Sequence, residues 1–248
     1  MIKYEVKSST AIITLNRPEK RNALNSVLVN ALKDKIVAAE SDESVKSIII
    51  TGEGKSFCAG ADLEYLNTIK DYSAIENEKD SESLAEMFLK IYNCSKPTIA
   101  AINGAAIAGG CGLASVCDFI IAHPEESKFG YSEVKIGFIP AIVSVFLLKK
   151  IGEGRAKQFL LSGEIINGKQ AYEIGLVNYL SENVFESALE LSERLNSNSP
   201  ESMKMTKKMV HTISTMNVES AVNYCLRMNV LSRSTKDFEE GIKKFLNK

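Results

Sequence analysis

Several things are missing from this 248-residue chain, and each absence closes a route to function. The five cysteines (Cys58, Cys94, Cys111, Cys117, Cys225) are odd in number and scattered, without a CxxC pair. That spacing argues against a disulfide framework and a zinc site, and it suits a reducing cytoplasm. With 30 basic and 31 acidic side chains the formal net charge is -1, so no overall field exists to hold a nucleic acid. The longest apolar stretch near the middle, residues 99–113, is rich in Ala and Gly and interrupted by Asn103. It is shorter than the roughly 20 helical residues that a bilayer requires. Residues 1–7 alternate like a half-buried strand and lack a signal-peptide core, so a soluble, cytoplasmic protein is expected. Histidine is nearly absent too. His123 and His211 stand far from any nucleophile-elbow pattern, which disfavours a Ser–His–Asp hydrolase, and no GxGxxG follows the first strand.

What is present is an apolar fraction of 45%, enough for one sizeable domain with or without a helical appendage. Residues 2–6 and 11–15 read as strands joined by a Ser8-Ser9-Thr10 turn, followed by a helix capped by Asn25 or Ser26 and running to about residue 40. Residues 45–51 read as a buried strand. The order returns with a strand over 98–102, a helix over 109–116 and a strand over 119–122. Residues 71–83 are polar and charged, and read as a mobile loop, an exposed helix or a solvated connector. Beyond Gly152 the pattern turns helical, over 184–195, 200–212, 218–232 and 235–246, with one short strand at 176–180. Alternating strands and helices argue for an α/β fold of repeating units. The amphipathic tail suits an oligomer interface.

Two glycine-bearing segments carry the chemistry. Phe57-Cys58-Ala59-Gly60-Ala61-Asp62 and Asn103-Gly104-Ala105-Ala106-Ile107-Ala108-Gly109-Gly110-Cys111-Gly112 each follow an apolar run and lead into a helical pattern. Amides at helix starts are unsatisfied donors, and two of them aimed at one oxygen form a site for a developing oxyanion. The plain alternatives are a tight turn with Asp62 as N-cap, and close helix-to-sheet packing at Gly109 and Gly110. A third segment, residues 129–140, places Glu133 between apolar stretches. A carboxyl held there has its charged form disfavoured and becomes a candidate acid/base. The alternative is a surface Glu paired with Lys135 or Lys128.

These segments together resemble the crotonase (enoyl-CoA hydratase/isomerase) superfamily over essentially the whole chain. The matching pieces are Leu15-Asn16-Arg17-Pro18, Arg21-Asn22-Ala23-Leu24-Asn25, Ile50-Thr51-Gly52, Cys58-Ala59-Gly60-Ala61-Asp62, residues 96–104, Gly109-Gly110-Cys111 through Cys117-Asp118, and Gly175-Leu176-Val177. The resemblance implies an α/β spiral of ββα units over residues 1–190 and a C-terminal helical region, 191–248, that covers the site and builds homotrimers or dimers of trimers. It implies the oxyanion-hole amides of Ala61 and Gly109, and Glu133 as the proton carrier. It further implies an acyl-CoA substrate bound around Arg21, Asn22, Ala23, Ala59, Gly60, Asp62, Leu63, Gly110, Gly112 and Pro140. Coenzyme A enters as part of the substrate, with no cofactor, metal, nucleic acid or membrane involved. Lys20 and Arg21 are candidate phosphate neighbours, and Lys243, Lys244 and Lys248 could reach a neighbouring subunit's CoA.

Two departures bear on the reaction. Typical hydratases of this family carry a first catalytic glutamate where this chain has Gly112, and a run of small glycines where it has Ala141-Ile142-Val143-Ser144-Val145-Phe146. The resemblance extends to hydratases of branched, carboxylated substrates such as 3-methylglutaconyl-CoA in leucine degradation. Lys135, Lys149 and Lys150 are candidate cations for a substrate carboxylate, or merely exposed lysines, and Tyr131 and Ser144 are candidate donors. The expected function is an enoyl-CoA hydratase-like lyase working through an enolate. Isomerisation, decarboxylation and non-catalytic acyl-CoA binding are the alternatives.

Overall fold

The computed structural model describes residues 1–246. Strands β1 (Ile2–Lys7) and β2 (Thr10–Leu15) form an antiparallel hairpin in register from Ile2 opposite Leu15 to Lys7 opposite Thr10. Its two-residue turn holds Ser8 and Ser9 at positive φ, 47° and 62°, the twist that matches right-handed strands. A 3-10 turn at Pro18–Lys20 leads to α1 (Ser26–Ser41), where the Asn25 side chain accepts from the Leu28 amide at 2.9 Å. The chain then climbs a spiral. It passes through β3 (Ser47–Gly52), β4 (Ser56–Cys58), α2 (Leu63–Ile69), α3 (Ala74–Asn93), β5 (Thr98–Ile102), β6 (Ala105–Ile107) and α4 (Gly109–Ser115). Next come β7 (Phe119–Ala122), β8 (Lys128–Gly130), a 3-10 turn at Glu133–Ile136, α5 (Ala141–Ser162), β9 (Ile165–Asn167), α6 (Gly168–Glu173) and β10 (Tyr179–Leu180). Helices α7 (Val184–Asn196), α8 (Pro200–Ile213), α9 (Val218–Arg233) and α10 (Lys236–Leu246) complete the described chain.

From β3 to β8 each coil of the spiral lays one strand in each of two sheets before its helix, whereas β1 and β2 both join the first sheet. The larger sheet has the order β1-β2-β3-β5-β7-β10 and the smaller β4-β6-β8-β9. Parallel neighbours such as β3 and β5, or β6 and β8, therefore stack coil upon coil. The central strands of the larger sheet, β2, β3, β5 and β7, are buried on both faces, which explains their apolar runs, while the edge strand β1 is largely exposed. Ile48, Ile50, Ala100 and Ile102 face the main core with α1, α3 and α4, whereas Ile49, Ile99, Ala101 and Ile121 pack under Val184, Ala188 and Leu191 of α7. The expected division at residue 190 thus falls within a helix that packs on the sheet.

Three features go beyond or refine the sequence reading. The smaller sheet was not anticipated: its strands have only three residues each, too short for an alternation to show. Of the three readings of residues 71–83, the exposed helix is the one the structure adopts from Ala74. Ser73 and Glu76 form a reciprocal capping box, and from Ala74 the chain is helical, with Met87, Phe88 and Ile91 buried and its charged face outward. The helix expected beyond Gly152 begins earlier, at Ala141, and bends where Gly152 adopts φ 76° and ψ 165°. Among the described residues no helix is long and apolar enough to cross a membrane, and no cluster of His, Cys, Asp and Glu could hold a metal.

The coils are packed backbone to backbone. A Cβ on Gly104, which joins β5 to β6, would stand 2.1 Å from the Lys55 carbonyl oxygen of the preceding coil. Gly104→Ala is therefore expected to cost roughly 1–3 kcal/mol, read as a lower urea midpoint at unchanged slope.

Candidate active site

The site grows from the loop after β2. Arg21 and Asn22 both lie in the left-handed region, φ 51° and 56°, a costly pair that the buried Asn22 side chain holds. Its Oδ1 accepts from the Arg17 amide at 2.8 Å, and its Nδ2 donates to the carbonyls of Glu53 (3.0 Å) and Ser56 (2.8 Å). The curl brings residues 21–24 beside residues 59–62. The Ala59 amide donates to Arg21 O, the Leu24 amide to Gly60 O (2.7 Å), and the Asp62 amide to Leu24 O (2.8 Å). This is a parallel bridge between Leu24 and Ala61. It uses the groups on either side of Ala61 and turns Ala61's own N–H to the opposite edge. That N–H has no acceptor among the described residues.

A buried ion pair locks the arrangement. Arg17, 9% exposed, donates to Asp62 Oδ2 at 2.9 Å and to the Ala23 carbonyl at 2.7 Å. Asp62 also caps α2 by accepting from the Glu64 amide. Burial alone would raise the Asp62 carboxyl, but the Arg17 and Glu64 hydrogen bonds outweigh it and hold the group below its usual range. Its carboxylate is thus spent on the scaffold. Leu63, by contrast, is 77% exposed at the rim.

The second amide comes from the next coil. Gly60 adopts φ 90°, and a Cβ there would stand 2.8 Å from Ile107 O, 2.9 Å from Ala108 Cβ and 3.6 Å from Gly109 N. The peptide that ends in Ala61 therefore lies directly against the start of α4. Ala108 sits at φ 51° and ψ -123°, strained for a residue with a side chain. It is held by its amide donating to Gly130 O at 2.7 Å and by its carbonyl accepting from Gly112 at 3.0 Å. The Gly109 N–H that follows also lacks an acceptor among the described residues. Gly110 packs so closely on Cys58 that a Cβ would meet its carbonyl oxygen at 2.1 Å.

Glu133 follows β8 and is only 8% exposed. Its Oε2 is buried without a hydrogen-bond partner among the described residues. Burial pushes its carboxyl above the ordinary value. Neither lysine that could have paired with it does so; Lys128 donates to the Glu125 carbonyl instead. Glu133 lies beside α4. The Cys111 thiol is pushed up to about 12, chiefly by burial and further by the Glu133 charge. Tyr131 fastens the segment, its hydroxyl 3.0 Å from Ser115 Oγ, which in turn donates to Cys111 O. From the stretch 141–146, whose bulk the sequence expects to reshape an acyl pocket, Val143 stands in the first turn of α5 after Pro140. A Cβ on Gly112 would stand 2.1 Å from Val143 Cγ1.

The structure does not gather every candidate here. Lys20 pairs with Glu64 at 2.5 Å, while Arg21 stays exposed on the rim. Lys150 is buried beside Asp118 with its ammonium 3.4 Å from the Asp118 carbonyl, and Lys149 donates to Ser214. Both lie on α5, and Lys150 reaches the residue just before β7. Ser144 donates to the Ala141 carbonyl of its own helix. His123 accepts from the Glu125 and Glu126 amides, and His211 stacks on Tyr92 with centroids 4.0 Å apart. Lys243 pairs with Glu239, and Lys248 lies outside the described residues.

Two unpaired amides thus stand on adjoining coils, and a buried, unpaired carboxyl lies beside the helix that one of them starts. Residues 5–248 match the family described as Enoyl-CoA hydratase/isomerase, and the chain belongs to that family, the crotonase superfamily. A Thermus thermophilus protein with a provisional enoyl-CoA hydratase name is 39% identical over 250 residues, 100% of this chain and 98% of its own length. The 2,3-dehydroadipyl-CoA hydratase of Escherichia coli is 33% identical over 240 residues, 96% of this chain and 92% of its own length. The crystal structure of an enoyl-CoA hydratase from Polaromonas has a TM-score of 0.94 at 30% identity, over 99% of this chain and 96% of that one. The chain is accordingly an enzyme of the hydro-lyase kind with an acyl-CoA as its substrate class.

The raised Glu133 carboxyl has a definite pH signature. A group whose folded pKa lies above its unfolded value contributes stability below the unfolded pKa and loses it as pH rises through the folded one. Glu133→Gln should therefore raise stability at neutral pH by about 1 kcal/mol. The gap should close in acid, as followed by thermal melts at several pH values.

Proposed function

We propose that the chain interconverts a 2-enoyl-CoA and a 3-hydroxyacyl-CoA through an enolate, with Glu133 as the proton carrier and the Ala61 and Gly109 amides as the oxyanion hole. The observation that carries this reading is the buried, unpartnered Glu133 oxygen beside the helix whose first amide, with that of Ala61, also lacks a partner. Water adds its oxygen to C3, and the C2–C3 π pair moves toward the thioester, whose oxygen becomes the enolate held by the two N–H groups. The proton lost by the water passes through the Glu133 carboxyl to C2. No resident cofactor takes part; CoA is the handle, lying along residues 21–23 and 59–63. Each oxyanion donor is expected to contribute roughly 10²–10³ in rate, and the acid/base roughly 10²–10⁴.

Two finer choices belong to the acyl chain. Val143, Phe88 and Phe146 make an apolar wall beyond Gly112, and Lys149 and Lys150 are engaged elsewhere, which favours a short apolar enoyl group. The likeness to a hydratase of 2,3-dehydroadipyl-CoA favours a carboxylated one instead, of which 3-methylglutaconyl-CoA is a branched example. For that chain Lys135, exposed beside Glu133, is the nearest cation in sequence. Self-association, as a trimer or a dimer of trimers, is proposed from the apolar residues that the C-terminal helices expose: Val218, Val222, Leu226 and Val230 on α9, and Ile242 and Leu246 on α10.

Absorbance of the conjugated thioester decides among these substrates. Crotonyl-CoA should be hydrated faster than 2,3-dehydroadipyl-CoA or 3-methylglutaconyl-CoA, without carbon dioxide release; the reverse order supports the carboxylated reading, and no hydration of any of them sinks the proposal. Glu133→Gln should lower kcat by roughly 10³, and the acid limb of the wild-type rate profile should lie above the ordinary carboxylate range. Gly109→Pro removes the donor at a first-turn helix position that tolerates proline. It should cost roughly 10²–10³ in kcat with an unchanged far-ultraviolet spectrum.

A further inference from the structure

We propose that Val143 is a specificity-determining residue of the acyl site: it fills the space that any side chain on residue 112 would need, and so leaves Glu133 without a second acid/base group opposite the oxyanion hole. The inference rests on the reading of Glu133 as proton carrier.

Geometry ties the two positions together. Gly109 and Gly112 are three residues apart on α4, hence on one helix face, so a side chain at 112 would rise one turn beyond the Gly109 amide. A Cβ there would lie 2.1 Å from Val143 Cγ1 and 2.8 Å from Val143 Cβ, with Phe88 Cζ behind at 3.5 Å. Val143 is 5% exposed and Phe88 fully buried, and Phe88 packs on Phe146 of α5 with centroids 6.1 Å apart. Val143 cannot swing aside cheaply, because a β-branched side chain in a helix keeps essentially one χ1 rotamer.

The buried carboxylates among the described residues are Asp62 and Glu133, and Asp62 is committed to Arg17. Glu133 is thus the one buried acid available to a substrate. A water attacking C3 must be activated by the same carboxyl that then protonates C2, while the wall beyond Gly112 offers it no hydrogen bond. Residues 112 and 143 form one coupled choice between glycine with valine, giving a dry wall, and a carboxylate with a small residue, giving a second proton-transfer group.

Two pairs of variants test this, one for packing and one for chemistry. Alanine normally favours a helix over glycine, so a loss of stability in Gly112→Ala reports the clash. Gly112→Ala should lower Tm by roughly 5 °C, and adding Val143→Ala should restore more than the two single changes predict. Gly112→Glu with Val143→Gly should hydrate crotonyl-CoA at least roughly tenfold faster than the parent, whereas Gly112→Glu alone should lose Tm and rate. A Gly112→Ala protein as stable as the parent, strict additivity in Tm, or a Gly112→Glu/Val143→Gly protein no faster than the parent would overturn the assignment. Glu133→Gln, measured alongside, separates the two ideas: full activity there would sink the proton-carrier reading, while the Tm coupling between residues 112 and 143 would still report on Val143.

Discussion

The ion pair between Arg17 and Asp62, with the Leu24–Ala61 bridge beside it, is the constraint on which the site depends. Removing one partner of such a buried pair leaves a charge without compensation, at a cost of about 3–5 kcal/mol. Here the pair does more than stabilise. Arg17 reaches the Ala23 carbonyl as well as Asp62, and Asp62 starts α2. One guanidinium thereby fixes the loop of residues 21–24, the turn of residues 59–62 and the helix that follows. The Ala61 N–H points away from Leu24 because its neighbours' groups are already used. An unpaired donor is ordinarily a penalty; on this rigid frame it is available for an incoming oxygen without reorganisation.

The second half of the site has a different origin. Gly109 is aimed by Ala108, a residue with a side chain in a backbone conformation suited to glycine, and the strain is held by hydrogen bonds to β8 and within α4. Glu133 belongs to the coil that follows β8, so the Ala108–Gly130 hydrogen bond links the amide to the strand that carries the carboxyl. Stacked coils make this possible. The turn before Ala61 meets the start of α4 at Gly109, and Glu133 of the next coil lies beside the same helix, although the three are far apart in sequence. Close stacking requires glycine where backbone meets backbone, as at Gly104 against Lys55 and Gly110 against Cys58.

Much of this was legible. Most strands of the larger sheet, α1 and the helical tail emerged from apolar runs, caps and glycine positions, and the order of the motifs carried the resemblance to the family. The smaller sheet did not, since three residues carry no periodicity. Charge left the helix from Ala74 as one of three open readings, which its Ser73–Glu76 box could have decided. Glu133 stood out among apolar neighbours and the family resemblance singled out Ala61 and Gly109, while Val143 was marked only as one of a bulky stretch and Arg17 was given no role. Arg17 looks like any loop arginine until its burial is known, and Val143 like any helix valine until α5 is laid against α4.

Composition and motif order by themselves determined the class: an α/β chain of repeating units with two glycine turns, a carboxyl among apolar residues, and a glycine at position 112. Those are local properties, set by which residues can start helices, make tight turns or avoid water. Tertiary structure alone decided what the pieces do for one another. It left the Ala61 and Gly109 amides unpaired, engaged Asp62, Lys149 and Lys150 with partners inside the protein, and filled the space beyond Gly112 with Val143. Each of these depends on contacts between coils distant in the chain, and no local pattern encodes which side chain will occupy a neighbour's empty space.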